Sequence, residues 1–173
     1  MTGAPTVLVL MGVSGSGKTS VAEALAARLG WAFQEGDALH PPANVAKMRG
    51  GMPLTDTDRW PWLDRVAAWI DARLAAGENG IITCSALKRA YRARIVGARA
   101  GVRVVLLHGA RALLAARIGA RHHEYMPASL LDSQLGTLEP PGPDERPISL
   151  DVTPSAAALA EAIILAMGQD GAG

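Results

Sequence analysis

Val7-Leu8-Val9-Leu10-Met11-Gly12-Val13-Ser14-Gly15-Ser16-Gly17-Lys18-Thr19 is the stretch from which the rest of the chain can be read. Five consecutive apolar residues ended by glycine mark a strand buried on both faces, as in parallel sheets. The eight residues from Gly12 match G-x-x-x-x-G-K-[ST] at every defined position. Beyond them Val21, Leu25 and Leu29 recur four apart, which predicts a helix over about residues 17–29. Glycines let successive backbone N–H groups turn inward around phosphate oxygens with no Cβ in the way. The helix N-terminus adds unpaired donors and the positive end of its dipole. Strand, loop and helix in this order predict a nucleotide site. Gly12, Ser14, Gly15, Ser16, Gly17, Lys18, Thr19 and Ser20 would surround its phosphates. Lys18 would reach the β- and γ-phosphates, and the Thr19 hydroxyl would ligate Mg²⁺.

Further strands are predicted at residues 31–34, 81–84, 102–107 and 148–152. Helices are predicted at 90–96 and 112–118, and a closing helix carries Leu159, Ile163 and Met167. Trp62, Val66, Trp69, Ile70 and Leu74 share one face of another helix, so these tryptophans read as core more readily than as sugar platforms. Strands alternating with helices imply right-handed crossovers and a parallel sheet covered on both sides. The expected fold is therefore an α/β/α three-layer sandwich, in one domain spanning residues 1–173. The order of its strands does not follow from these patterns.

Composition narrows the function. Hydrophobic residues make up 49% and charged residues 19%, the balance of a globular rather than a disordered chain. A formal charge of +1 offers no broad cationic field, which argues against nucleic acid or an anionic membrane as partner. One cysteine, Cys84, rules out an internal disulfide and fits a reducing cytoplasm. Residues 1–5 lack a basic run, and the apolar stretch after them is too short for an export signal. Nothing approaches the roughly 20 apolar residues that cross a bilayer. A soluble, cytoplasmic location is expected.

Among phosphate-binding classes, a GTPase needs N-K-x-D, and the sequence has no Asn-Lys pair. A motor ATPase carries acids at the end of a buried strand, but Ile81-Ile-Thr-Cys84 runs into Ser85-Ala-Leu-Lys88. The carboxylate comes early instead, as Asp37. Either it is a turn residue after Gly36, or it faces an acceptor hydroxyl and takes its proton, as in a kinase. Only three of the 17 basic residues are lysine: Lys18, Lys47 and Lys88. Because lysine and arginine are not equivalent at phosphate and sugar contacts, the last two become candidates beside the first. Arg117 and Arg121, four apart, share a helical face. They are either a solvated face or cations that neutralise charge on a transferred phosphoryl group.

Gly12-Val-Ser-Gly-Ser-Gly-Lys-Thr19 also resembles the loop of the gluconokinase family. So do Gly36-Asp37-Ala-Leu-His40-Pro41, Asn44-Val-Ala-Lys47-Met48 and the run Gly51 to Leu63, which reads GMPLTDTDRWPWL. Cys84-Ser-Ala-Leu-Lys88-Arg-Ala-Tyr91-Arg92, Ser133-Gln134 and Thr137-Leu-Glu-Pro140 are similar to it as well. The resemblance implies a nucleoside-monophosphate-kinase-like, shikimate-kinase-like fold and phosphorylation of D-gluconate to 6-phospho-D-gluconate, with ATP and Mg²⁺, by a homodimer. It implies a substrate-binding insertion at about 37–76 and a lid at about 117–137. Asp37 would be the acceptor-hydroxyl partner and base. His40, Lys47, Arg59, Lys88 and Arg92 would line the acid-sugar pocket or approach the phosphates. Lys18, Lys88 and Arg121 would act with Asp37 in transfer, and Arg117 would serve the nucleotide. One departure stands out: where the family has Gly-His-Phe, this chain has His123-Glu124-Tyr125. The alternatives are a related small-molecule kinase, for shikimate or another sugar acid, or a nucleotide-sensing module without turnover.

Overall fold

The computed structural model describes residues 3–120 and 128–170. Its centre is a parallel sheet of β1 (Val7–Met11), β2 (Ala32–Glu35), β3 (Gly80–Thr83), β4 (Val102–His108) and β5 (Ile148–Asp151). The strand order is β2-β3-β1-β4-β5, so the first strand is the middle one. Its two neighbours follow far later in sequence, which is why local patterns could not reveal the order.

Strand residues alternate between faces, and both faces are buried. Leu8 and Leu10 pack with Val21 and Leu25 of α1 (Lys18–Leu29), Leu114 of α5 (Arg111–Gly119) and Ile163 of α7 (Ala156–Asp170). Val7, Val9 and Met11 turn the other way, onto Trp62, Val66 and Ile70 of α3 (Asp56–Ala75) and Tyr91 and Ile95 of α4 (Arg89–Ile95). The sandwich expected from the sequence is thus present, with its core split between two layers. No helix among the described residues is long and apolar enough to cross a membrane.

Two helices lie outside the set that periodicity predicts. Pro42–Arg49 forms α2. Its few apolar residues give no stripe, yet Pro42 at the first helical position is a recognised start signal. Ala128–Thr137 forms α6, with Leu130 and Leu131 buried. Between β2 and α2 lies a 3₁₀ turn, Gly36–Leu39. The register aligns Glu35 of β2 with Thr83 of β3, and Thr83 with Leu10 of β1. The C-terminal ends of three strands therefore open onto one edge, where parallel α/β sheets bind ligands.

Candidate active site

The loop leaving β1 is shaped by backbone limits. Gly12 has φ 151°, and a Cβ there would lie 2.5 Å from the Leu107 carbonyl oxygen and 2.8 Å from Ser16 Oγ. No side chain fits, so the main chain curls inward. Gly17 caps α1 without a side-chain hydrogen bond. Lys18 Nζ lies across the mouth of the loop, donating to the carbonyls of Gly12 at 2.9 Å and Val13 at 3.1 Å. Ser16 Oγ is buried and makes no hydrogen bond among the described residues. A cradle closed to a Cβ and an orphaned buried hydroxyl both suit a phosphate group. On its outer side Gly15, Gly17, Ser20, Arg117 and Pro154 line a second cavity. Arg117 Nη2 is anchored there on the Val152 carbonyl at 2.7 Å.

Thr19 Oγ1 donates to Glu35 Oε2 at 2.6 Å, and the other carboxylate oxygen accepts from Thr83 Oγ1. Thr83 Oγ1 in turn accepts from the Gly36 amide at 3.1 Å. Glu35 thereby joins the hydroxyl expected to ligate Mg²⁺, and hard oxygen donors of this kind suit that ion. The sequence reading passed over Glu35. Its signal was an acid at the C-terminal end of a strand, but its nearness to Thr19 runs through the strand order. Gly36 is required because a Cβ there would overlap the Thr83 carbonyl.

Beyond the cradle, Ser14, Lys18, Asp37, His40, Arg59 and Gln134 line one cavity. The Asp37 side chain is 69% exposed, so its carboxylate is open to an acceptor. His40 is buried, stacked on Trp62 with ring centroids 4.0 Å apart. Trp62 is itself fixed by donating Nε1–H to the Gly36 carbonyl at 2.8 Å. Asn44 Nδ2 donates to the Asp58 carbonyl at 2.9 Å and meets His40 Nδ1 at 3.2 Å. That amide nitrogen can only donate, so His40 Nδ1 accepts and Nε2 carries the proton. Nε2 lies 3.9 Å from Asp37 Oδ1. Burial, helped by the charge of Arg59, pushes the imidazole down to about 4. At neutral pH His40 is thus an uncharged donor.

Arg59 donates Nη1–H to Tyr91 Oη at 3.0 Å, and its guanidinium carbon lies 5.3 Å from the ring centre. Tyr91 passes the link to Asp56, donating its hydroxyl to Oδ1. Asp56 also holds Lys88, whose Nζ is 3.1 Å from Oδ1. This chain fixes the Arg59 guanidinium at the cavity wall while its other N–H groups remain available in kind to an anion.

Three expected pocket residues are placed elsewhere. Lys47 pairs with Asp58 at 2.7 Å, and does not line the cavity. That hydrogen bond, then one from the Thr55 amide, holds the Asp58 carboxyl down at about 2. Asp58 also closes the capping box of α3 with Thr55, so Lys47 docks α2 onto a helix start. Lys88 is likewise held by Asp56 outside the cavity lining. Arg92 is buried, with Nε 2.7 Å from Glu145 Oε1 and Nη1 donating to the Ala86 and Leu87 carbonyls. It braces α4 against the segment before β5. The two lysines outside the P-loop are thus each joined to the first turn of α3 by an ion pair. Burial, with Asp37 nearby, pushes the Cys84 thiol up to about 12, which makes it a packed residue and no nucleophile. Arg121, His122, His123, Glu124 and Tyr125 lie outside the described residues.

A phosphate cradle on the central strand, facing an acceptor cavity with an open carboxylate, places the chain in the class of P-loop kinases. Comparison with known proteins agrees. A family described as AAA domain matches residues 7–141. A gluconokinase of Gluconobacter oxydans is 55% identical over 141 residues, 82% of this chain and 79% of that one. The crystal structure of a sugar kinase from Janibacter superposes with a TM-score of 0.88 at 47% identity, covering 93% of each chain. That of a gluconokinase from Sinorhizobium meliloti gives 0.84 at 46%, covering 96% of this chain and 93% of that one. The chain belongs to the gluconokinase family.

Proposed function

We propose that the chain transfers the γ-phosphoryl group of ATP to the terminal hydroxyl of D-gluconate, giving ADP and 6-phospho-D-gluconate. The observation that carries this reading is that Lys18 and Asp37 share a cavity with Arg59 and the neutral His40. One end of that cavity suits phosphate and the other suits a polyhydroxy acid. The Arg59 guanidinium, steadied by Tyr91, pairs with the gluconate carboxylate, and His40 Nε2–H donates to a hydroxyl. As the acceptor oxygen bonds to the γ-phosphorus, its proton passes to Asp37 and the bond to the β-phosphate oxygen breaks. Lys18 neutralises charge gathering on the bridging and terminal oxygens. Thr19 and Glu35 are the residues that would hold Mg²⁺, which when bound screens the β- and γ-phosphates. Arg117 and the cavity beside Gly15 serve the nucleoside end of ATP.

The family resemblance supports two more assignments, a homodimer and a cytoplasmic site of action. Light scattering on the purified chain checks the first. The reaction itself is tested by ADP release over gluconate, shikimate and nucleoside monophosphates. Gluconate-dependent turnover is expected, and a preference for either of the other acceptors contradicts the proposal.

A further inference from the structure

Helix α6 reaches the phosphate cradle with a polar side chain. The Ser14 amide donates to Gln134 Oε1 at 2.7 Å, across 120 positions of sequence. A backbone N–H can only donate, so the oxygen of the carboxamide faces Ser14 and the Nε2 amine is turned away. Gln134 makes no other side-chain hydrogen bond among the described residues. Ser14, Lys18, Asp37 and Gln134 line the same cavity. The carboxamide therefore stands where the mouth of the cradle meets the acceptor.

That place has a particular electrostatic need. The transferring phosphoryl group spreads negative charge over three equatorial oxygens, and Asp37 adds a carboxylate beside it. Lys18 is one compact cation. A neutral N–H donor, held by its own oxygen, stabilises the group without attracting the carboxylate away from the hydroxyl. We propose that Gln134 is a catalytic residue of this kinase, keeping Oε1 on the Ser14 amide and donating Nε2–H to the phosphoryl group in transit. The inference rests on the phosphotransfer reading of the site and is independent of which acceptor is used.

Two variants test it. Gln134→Glu keeps an oxygen for Ser14 and the side-chain shape but removes the N–H donor. Gln134→Met removes both groups and leaves the side chain neutral. Each is compared with wild type in gluconate-dependent transfer, acceptor-free ATP hydrolysis, ADP affinity by calorimetry and thermal unfolding. The expected result is a kcat lowered about 10²–10³-fold, the cost of losing one preorganised donor, with ADP affinity and melting temperature retained. A Gln134→Glu kcat within about threefold of wild type overturns the proposal, since the tie to Ser14 alone would then suffice. If that variant does not fold, the Gln134→Met kcat decides by the same criterion. ADP affinity falling in step with kcat also overturns it, by making Gln134 a prop of the cradle. Absence of gluconate turnover in wild type would sink the acceptor reading instead, and the ratio for Gln134 would still be read from hydrolysis.

Discussion

The phosphate cradle and the acceptor cavity share one edge of the sheet, yet they are made differently. The cradle is a contiguous run, Gly12 to Thr19, shaped by glycines of positive φ and a helix start that turn backbone N–H groups toward one point. The cavity next to it draws side chains from the Gly36–Leu39 turn, α2, α3, α6 and the segment after β3. The first kind of site is set by local conformation. The second is set by tertiary packing, and two of its polar groups are positioned by others: His40 by Trp62 and Asn44, Arg59 by Tyr91. Substitutions should expose this contrast, with losses at Lys18 and at the groups facing the transferred phosphate falling on chemistry, and losses at the Arg59 end of the cavity falling on acceptor binding.

The largest effect is expected at Lys18. Lys18→Met should lower kcat by at least about 10³-fold, because a fixed cation is lost where charge develops. A near-normal rate in a coupled assay would contradict the cradle assignment. Asp37→Asn should lower kcat by roughly 10²–10⁴-fold if the carboxylate is the base. A change confined to KM would make it a binding residue only. Arg59→Met should instead raise KM for gluconate by about 10–100-fold with kcat nearly kept, as for a lost charge-assisted hydrogen bond. Equal loss in both parameters would move Arg59 from the acceptor to the phosphates.

His40 sharpens the comparison through pH. Its imidazole titrates at about 4 in the folded chain, against 6.5 for the ordinary value. Between those values the unfolded chain binds a proton that the folded one resists, so stability is lost as pH falls through this window. Urea unfolding at pH 7 and at pH 4.5 should differ by about 1–3 kcal/mol from this group. His40→Gln should remove that part of the dependence, and an unchanged pH profile in the variant would contradict the burial argument. The smallest effects belong to the two lysines. Lys47→Met and Lys88→Met should lower the melting temperature only slightly and change kcat/KM less than about threefold, as for ion pairs near the surface. A large rise in KM for gluconate in either would return that lysine to the cavity.

What could be read from the sequence follows the same division. The buried strand Val7–Met11, the loop and α1 were legible because periodicity and glycine placement act over a few residues. Asp37 was reached from its place early in the chain, His40 and Arg59 through motif resemblance, and the structure brings them to one cavity. Lys47 and Lys88 were drawn toward that cavity by the scarcity of lysine as well as by the motifs, and Arg92 by the motifs, while each is held by a carboxylate: Asp58, Asp56 and Glu145. No local pattern distinguishes a lysine that meets substrate from one that docks a helix. Glu35 and Gln134 were missed for a related reason. Each acts on a P-loop residue distant in sequence, Thr19 and Ser14, and only the strand order and the course of α6 bring them there.

The central claim is that the cradle and the Arg59 end of one cavity together phosphorylate gluconate. Phosphorus NMR of the chain incubated with ATP, Mg²⁺ and gluconate tests it most directly, because it sees the product. The account predicts a new phosphomonoester resonance growing in step with ADP, absent without gluconate. ADP formed with inorganic phosphate and no ester would contradict it.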